Sequence, residues 1–563
     1  MILLNSVLTK AKEKYPVGLS DDKVFEFYCA DNILINYDLD HVEIESGIID
    51  GPRDAGIDAA YIFVNTQLLT DDFKFTAIRQ PVEIELFLIQ SKNQDSFKEG
   101  AIDKLASSLP LLLDYAKSPK DLEPLFKKEV VEKCHAFLDA IERLAEKFPK
   151  VAIKLFYCSK AIEPNVTAKA KATALEATLK GMQFSNVSFT FLGGQQLYER
   201  SANQKRLVAK LSVSGTPLSG ANSYVALCKL TDYVKFISDD DGNLITRIFE
   251  ANVRAYQGEV EVNREIAASL EVPTPGIDFW WLNNGVTVVA DESSFTNNQL
   301  VIANPLIVNG LQTSHEIHVH TTNLPIDSQR VEDQRSILIR VINETDPIKR
   351  DKIIRATNRQ TSITSSSFRA TEQVHREIED YLLTLGYYYD RRKNSYKREG
   401  KPVDKIISID RLAQAVLAVL LKEPHSARAR PTTVIKDEEN YKRIFSGDKT
   451  QQPLEMYGVI VKMLTAVEDF FRLLSSPDER IYRNNMKFHA LMVLGWALNG
   501  GTTLPALRLP HLDLTKVTSE QLEAVARWVF SEFQNVGAED KIAKQSAFTD
   551  HLISKWNIAA TAV

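Results

Sequence analysis

The chain has 563 residues, of which 44% are hydrophobic and 25% are charged, and its net charge is −6. This length is too great for one hydrophobic core, so we expect two to four domains. The composition is that of an ordinary globular protein. The negative charge excludes a protein that coats nucleic acid nonspecifically. It does not exclude a local basic groove, because binding follows the patch rather than the total charge.

The cysteines and the apolar segments indicate the compartment. Four dispersed cysteines without a CxxC pair are typical of a reducing cytosol, and they predict neither a disulfide framework nor a thiolate zinc site. The first residues lack the basic region of a secretory signal, and the apolar runs fall short of the roughly 20 residues that span a bilayer. We therefore expect a cytoplasmic protein with no membrane partner.

The first two hundred residues alternate between helical and strand patterns. Helical spacing predicts a helix at 21–35 and a long helical stretch from about residue 95. Apolar runs predict strands at 56–63, 82–92, 151–158 and 187–192. Strands separated by helices are typical of an α/β sheet, so residues 1–210 are predicted to form an α/β domain.

A second unit is predicted at 220–425, after a Ser-, Gly- and Pro-rich linker at 212–222. Asn284-Gly285 lies between two apolar runs, which predicts a β-hairpin. A strand at 305–308 then leads through a second Asn-Gly pair into a helix. The pattern from 426 to 563 is mainly helical. The predicted fold class is thus α/β, with a mixed α/β middle domain and a helical C-terminal region.

Polar side chains at the ends of two predicted strands suggest a catalytic centre. Gln90 and Lys92 close an apolar strand and project from the same face, because the side-chain period of a strand is two. Asp58 lies at the start of an earlier strand, and Glu26 lies on the first predicted helix. A carboxylate can hold a hard cation that polarises phosphate, while a lysine steadies the attacking hydroxide.

We therefore predict catalytic roles for Asp58, Gln90, Lys92 and Glu26. Asp58, Gln90 and Glu26 are the predicted ligands of Mg²⁺ or Mn²⁺, and Asp54 could add another carboxylate from the turn. The alternative is that Gln90 and Lys92 only mark the end of a strand, and Asp58 a turn.

Two resemblances extend this prediction. Glu26, Gly56-Ile57-Asp58 and Gln90-Ser91-Lys92 together resemble the PD-(D/E)xK nuclease superfamily, in the Mrr-like variant in which glutamine replaces the acid of ExK. Residues 240–420 resemble the abortive-infection phage-resistance (AIPR) family. The residues that carry the second resemblance are Asn252-Val253-Arg254, Phe279-Trp280, Asn283-Asn284-Gly285, Ile307-Val308-Asn309-Gly310-Leu311-Gln312-Thr313 and Ala356-Thr357-Asn358-Arg359-Gln360.

The resemblances imply a restriction-endonuclease-like domain at 1–210, an AIPR-like α/β domain at 220–425 and a helical domain at 426–563. They also imply a role in bacterial defence against phage. Because Gln90 carries no charge, they imply that metal affinity is weak or conditional.

The second Asn-Gly pair suggests an anion site. A strand, Asn309-Gly310 and a helix in succession present free backbone N–H groups beside the positive end of the helix, which suits a phosphate or nucleotide. Arg254, Asn358 and Arg359 are predicted to converge there. The alternative is a tight turn with surface arginines in ordinary ion pairs.

A segment at 387–398 interleaves four tyrosines with five basic residues. Aromatic faces stack bases while basic side chains contact phosphates, so Arg391, Arg392 and Lys393 are predicted to contact nucleic acid. The alternative is a solvated basic loop that tyrosines anchor to the core.

The predicted function is a metal-dependent endonuclease that cleaves DNA in abortive infection. DNA is favoured over RNA as the partner, the sequence leaves the choice between them open, and a homo-oligomer is a further prediction. The alternative is a catalytically silent sensor that binds nucleic acid or a nucleotide, and a third interpretation is an interaction scaffold. A zinc site at His315, His318 and His320 is disfavoured, because the first two histidines are three residues apart and HExxH needs four.

Overall fold

The computed structural model describes residues 2–559 except 17, 50, 79–81, 183, 185, 206, 222, 240–241, 243, 250–260, 272–276, 324–333, 359–372, 392, 430–434, 436 and 475–476. The chain divides into two compact units. Unit 1 comprises Met1–Glu13, Leu19–Leu69 and Lys74–Ser367, and unit 2 comprises Lys14–Gly18, Thr70–Phe73 and Phe368–Val563.

The first sheet of unit 1 has the strand order β2-β1-β3-β4-β5. Its strands are β1 (Ala59–Val64), β2 (Gln67–Leu68), β3 (Glu83–Lys92), β4 (Lys150–Ser159) and β5 (Asn186–Leu192). β3 is antiparallel to β1 and parallel to β4, which is in turn parallel to β5. Side chains on both faces of β1 and along most of β3 are buried, which explains their near-continuous apolar sequences.

Helices surround this sheet and connect the two parallel strand pairs. They are α1 (Ile2–Lys12), α2 (Asp21–Ile33), α3 (His41–Gly47), α4 (Glu99–Leu112), α5 (Pro119–Leu122), α6 (Lys128–Leu144), α7 (Val166–Gly181) and α8 (Gly194–Lys205). Ser20 caps α2 by accepting from the backbone N–H of Lys23. The predicted helix at 21–35 and the four predicted strands are confirmed, and the α/β fold class with them.

Two further sheets complete unit 1. Their strands are β6 (Val208–Ser212), β7 (Ser214–Gly220), β8 (Ser223–Lys229), β9 (Val286–Ala290), β10 (Glu292–Thr296), β11 (Gln299–Ala303), β12 (Leu306–Asn309) and β13 (Ser336–Asn343). The larger sheet has the order β12-β9-β13-β8-β7, and the smaller has β10-β11-β6. The accompanying helices are α9 (Leu230–Ile237), α10 (Glu261–Glu271), α11 (Leu311–Asn323) and α12 (Pro347–Asn358).

Two sequence predictions in this region are wrong. The segment predicted as a linker contains β7, which lies at the edge of the larger sheet and pairs with β8. An edge position tolerates the proline and glycines that suggested a linker. The predicted hairpin at Asn284-Gly285 is absent, because Phe279–Trp281 form a 3-10 helix instead of a strand. Asn283 closes this turn by donating to the Phe279 carbonyl, at 2.6 Å.

Unit 2 is mainly helical, as predicted for the C-terminal region. Two short parallel strands, β14 (Tyr388–Asp390) and β15 (Ile406–Ser408), accompany its helices. The helices are α13 (Gln373–Thr384), α14 (Ser395–Arg398), α15 (Ile409–Val419), α16 (Pro424–Ala429), α17 (Glu438–Ile444), α18 (Leu454–Leu473), α19 (Pro477–Asn499), α20 (Ser519–Asn535), α21 (Asp540–Ala543) and α22 (Ser546–Ala559). One hydrophobic core joins them from Ile378 to Trp556.

Candidate active site

The antiparallel pairing of β1 and β3 places Asp58 opposite Gln90. Ala59 is the register partner of Ile89, so the residue before Ala59 faces the residue after Ile89. The backbone N–H of Asp58 donates to the Ile89 carbonyl at 2.8 Å, which holds Asp58 against the end of β3. Residues opposite each other in such a pair share a face of the sheet, so the two side chains meet.

The Asp58 carboxylate is the centre of this cluster. Its Oδ2 accepts from Gln90 Nε2 at 2.6 Å and from the backbone N–H of Ser91 at 2.6 Å. Lys92 Nζ lies 3.4 Å from Oδ2 and 3.5 Å from Oδ1. The structure therefore brings together three of the four predicted catalytic residues. The lysine contact is long, and it is the one hydrogen bond described for Oδ1.

Burial changes the ionisation of Asp58. The residue is only 6% exposed, and this burial raises the pKa of its carboxyl group. Lys92 and the Ser91 N–H lower the pKa, the charge of Asp54 raises it, and the net shift is upward. The site thus holds a carboxylate whose charged form is incompletely compensated, so a cation that reached Oδ1 would favour that form.

The turn before β1 supplies a second carboxylate, and α4 supplies a second cation that contacts it. Asp54 Oδ1 accepts from the backbone N–H of Gly56 at 2.8 Å and from Lys104 Nζ on α4 at 2.5 Å. Gly56 has φ +81°, and a Cβ there would lie 3.2 Å from Gln90 Oε1. Glycine therefore allows both the turn and the close approach of the Gln90 amide. Lys104 was not found from the sequence, because a lysine on an exposed helix face carries no distinguishing signal.

Glu26 lies on α2, where it forms an ion pair with Lys23 one turn earlier. Its charge raises the pKa of the buried Cys29 thiol, although burial is the larger cause. The leading charges that act on Asp58 are those of Lys92 and Asp54. Asp54 thus acts on Asp58 through its charge, and the role of Glu26 in the metal site stays a prediction.

The donor set around Asp58 is sparse. Among the described residues, no group of three or more His, Cys, Asp or Glu side chains is arranged to hold a metal ion. The available oxygens belong to Asp58, Asp54, the Gln90 amide and the backbone. Mg²⁺ keeps several waters and is commonly held by one or two carboxylates, so this set fits a hard cation that is bound weakly.

The two Asn-Gly motifs of the larger sheet meet at one end of it. β12 and β9 are antiparallel, and Asn309 is the register partner of Thr287. A Cβ at Gly310, where φ is +101°, would lie 3.1 Å from the Gly285 carbonyl oxygen. Asn309 Nδ2 donates to the Thr357 carbonyl at the end of α12. Three segments of the family resemblance therefore converge.

The other predicted phosphate-binding residues of this region are only partly described. Arg254 and Arg359 lie outside the described residues. Asn358 is the last residue of α12, and its side chain is not described. The convergence of these side chains at Asn309 and Gly310 stays a prediction.

The tyrosine-rich basic segment is tied to unit 2. Arg391 Nε donates to Glu379 Oε2 at 2.6 Å, and the Tyr396 hydroxyl donates to Glu379 Oε1 at 2.9 Å. Tyr387 and Tyr389 are buried. These contacts correspond to the alternative in which tyrosines anchor the loop. Lys393 is exposed and Arg392 lies outside the described residues, so their contact with nucleic acid stays a prediction.

The fold and the site define a mixed α/β protein that carries a buried carboxylate, an amide and a lysine at adjacent strand ends. A sequence model of the AIPR protein family matches residues 249–546, which is more than half of the chain. The chain belongs to the AIPR protein family. The match extends well beyond the 240–420 region that carries the resemblance in the sequence, into the helices of unit 2.

Comparison with curated proteins finds no match, and comparison with solved structures finds none either. None of the helices in the described part of the chain combines the length and apolarity required to cross a bilayer. The family match begins after the first sheet, so it does not cover Asp58, Gln90 or Lys92.

Proposed function

We propose that this protein is a divalent-metal-dependent nuclease that cleaves DNA phosphodiester bonds in defence against phage. Membership of the AIPR family suggests the defence role. The observation that carries the nuclease proposal is the convergence of Gln90, Ser91 and Lys92 on the Asp58 carboxylate.

In this proposal Asp58 and the amide oxygen of Gln90 would hold Mg²⁺ or Mn²⁺, and Asp54 would add negative charge from the turn. A bound divalent cation supplies polarisation of the phosphate and lowers the pKa of a nearby water. The burial of Asp58 and its repulsion by Asp54 support this assignment. Both disfavour the ionised form of Asp58, and a bound metal ion would offset them.

Lys92 is the proposed group that orients the attacking water and stabilises negative charge on the phosphate. Its side chain is 39% exposed, whereas that of Asp58 is 8% exposed, so the ammonium group lies on the solvent side of the carboxylate. Substrate can therefore reach Lys92 before it reaches Asp58. A positioned ammonium acts on the charge that develops during the reaction, which is an effective use of a cation in catalysis.

Lys104 would contribute to the same surface. It lies on α4 within 2.5 Å of Asp54, and about half of its side chain is exposed. The two ammonium groups offset the charge of the two carboxylates, so a phosphate backbone can approach this surface even though the net charge of the chain is −6. We propose that Lys104 contacts the DNA backbone.

The alternative function is a sensor that binds nucleic acid or a nucleotide and has no hydrolytic activity. The uncharged Gln90 and the small number of carboxylates around Asp58 favour it. In that case the Asp58 cluster would be a structural feature of the first sheet.

The test is degradation of DNA and RNA by the full chain in Mg²⁺ or Mn²⁺. Wild type is compared with Asp58→Asn, Lys92→Ala and Lys117→Ala, the last being a matched exposed lysine outside the cluster. We expect the first two variants to lose cleavage and the third to cleave as wild type does. In cells, we expect that Asp58→Asn no longer reduces phage plaque numbers. Equal persistence of substrate with all four proteins would favour the sensor.

A further inference from the structure

The segment 278–285 carries an exposed aromatic surface beside a cationic side chain. Trp281 is 58% exposed and Leu282 is 52% exposed. Among the described residues, the Trp281 ring contacts one other ring, that of Trp280, in a T-shaped arrangement at 6.0 Å between centroids. Tryptophan usually buries most of its large surface, so an indole residue that is more than half exposed is a candidate contact surface.

Three contacts hold this segment against β13. Asp278 Oδ1 accepts from the backbone N–H of Ser336 at 3.0 Å. Gly285 packs so closely that a Cβ would lie 2.4 Å from the Leu338 carbonyl oxygen. Arg340 donates to the Asn284 carbonyl at 3.4 Å. The exposed indole is therefore part of an ordered turn rather than of a free loop.

Arg340 is the cation of this surface. It is exposed and forms no ion pair within the described part of the chain, and the long contact with Asn284 is its one described hydrogen bond. Most of its guanidinium donors are therefore available to a ligand. A guanidinium group matches the geometry of phosphate oxygens and can bind them in a bidentate manner.

Arg340 also begins a row of polar side chains across the sheet. It is the register partner of Thr287, which is the register partner of Asn309. Residues in register share a face, so the three side chains lie on the side opposite the apolar core of this sheet. Thr287 is 1% exposed, and its hydroxyl has no hydrogen-bond partner in the described structure. A buried hydroxyl without a hydrogen-bond partner is rare, and it indicates a group that hydrogen-bonds to a water or a ligand.

We propose that this surface binds a nucleotide unit, with the base stacked on Trp281 and a phosphate on Arg340. Aromatic stacking with a neighbouring cation is how proteins hold single nucleotides and single strands without reading sequence. The site is separate from the Asp58 cluster and does not depend on cleavage. If the protein is a sensor, this surface would be its ligand-binding site. If it is a nuclease, this surface would be a second contact with its substrate.

The experiment measures binding to the full chain in EDTA, with Asp58→Asn as a background that excludes cleavage. The probes are a fluorescent single-stranded oligonucleotide and a free nucleoside triphosphate. Trp281→Leu and Arg340→Gln are each expected to weaken binding about tenfold. For the oligonucleotide, Arg340→Gln should also lower the slope of log affinity against log salt by about 0.7. Phe148→Leu, which changes an aromatic residue that is 83% exposed elsewhere, should have no effect.

Photocrosslinking supplies a second readout that does not depend on affinity. An oligonucleotide with 5-iodouridine should attach to a peptide that contains Trp281, as shown by mass spectrometry. Binding of the strand alone or of the free nucleotide alone would support the proposal and identify the source of the nucleotide. Failure of both probes, or wild-type affinity in both variants with crosslinks elsewhere, would overturn it, whatever the outcome of the cleavage assays.

Discussion

The side-chain amide of Gln90 donates a 2.6 Å hydrogen bond to the Asp58 carboxylate across the antiparallel pair β1–β3. The two residues are 32 positions apart in the chain, and both are almost fully buried. A buried amide–carboxylate pair at the end of a sheet is costly unless its polar atoms are satisfied. Here Ser91 and Lys92 add two donors but leave the charge of Asp58 incompletely compensated, and we therefore propose this strand end as the reaction centre.

The ionisation of Asp58 should limit the stability of unit 1 at neutral pH. Its folded pKa is raised, so the folded chain keeps the proton to a higher pH than the unfolded chain does. The contribution of Asp58 to stability therefore falls as pH rises from the unfolded value through the folded value. Asp58→Asn should gain stability relative to wild type over that window, as measured by urea denaturation at several pH values.

A divalent cation should reverse this loss. If Mg²⁺ or Mn²⁺ binds the carboxylate in the folded state only, it raises the melting temperature of wild type by mass action. Asp58→Asn should show no such increase, and Lys117→Ala should behave as wild type. Equal metal-induced shifts in wild type and Asp58→Asn would place the binding site elsewhere.

Asp54 should set the acid limit of activity. Its charge raises the pKa of Asp58, so Asp54→Asn should lower that pKa and keep Asp58 ionised at lower pH. The acid limb of the pH–rate profile should then move to lower pH, even if the maximal rate also falls. An acid limb at the wild-type position would show that Asp58 is not the group whose ionisation the rate reports.

For the free energy of unfolding, the close packing of Gly285 against β13 should matter more than its positive φ angle. Gly285, just before β9, and Gly215, in the edge strand β7, have similar positive φ values, +69° and +76°. A Cβ at Gly285 would meet the Leu338 carbonyl at 2.4 Å, whereas a Cβ at Gly215 would meet nothing within 4 Å.

We expect Gly215→Ala to cost about 1 kcal/mol in free energy of unfolding and Gly285→Ala about 3 kcal/mol. Chemical denaturation of the two variants measures both values. Equal costs would mean that the turn moves away from β13 without penalty.

The ion cluster of Glu468 should stabilise unit 2. Burial raises the pKa of Glu468, but the charges of Arg411 and Lys487 outweigh it and hold the pKa at about 2. Glu468 therefore contributes stability above its unfolded pKa, near 4.5, and this contribution is lost as pH falls from there toward 2.

Glu468→Gln should cost about 3 kcal/mol at pH 7, because it leaves the buried Arg411 and the partly buried Lys487 without their counterion. The difference from wild type should shrink below pH 4.5. Glu523→Gln, which removes an exposed pair with Arg527, should cost at most about 0.5 kcal/mol. Similar losses of unfolding free energy in the two variants would show that the Glu468 cluster stabilises the fold no more than an exposed ion pair does.

The sequence predicts the first sheet well because β1 and β3 are apolar on both faces, and because helices separate β3, β4 and β5 along the chain. The same period-two rule places Gln90 and Lys92 on one face, and the structure adds Asp58 through the β1–β3 register. The wrong predictions have local causes. The apolar run at Phe279 is typical of a strand, but hydrogen bonds from Asn283 and at Asp278 fold it into a 3-10 turn.

Other features depend on tertiary contacts that spacing and periodicity in a single sequence do not reveal. Lys104 approaches Asp54 only because α4 packs beside the turn before β1. Arg340 contacts the 278–285 segment, which carries Trp281, because β13 lies beside that segment. The Asn284 carbonyl that Arg340 contacts is 56 positions earlier in the chain. Neither residue type stands out by spacing or periodicity, so tertiary structure is needed to find them.

Cleavage of supercoiled DNA in saturating Mn²⁺ by wild type and by Lys92→Ala tests the central claim most directly. Lys92 is part of the proposed centre but is not a proposed metal ligand, so its loss should leave metal-induced stabilisation intact. We predict that wild type nicks the plasmid and that Lys92→Ala does so at least about 100-fold more slowly. Nicking at the same rate by both proteins, or by neither, would contradict the assignment of a nuclease centre to Asp58, Gln90 and Lys92.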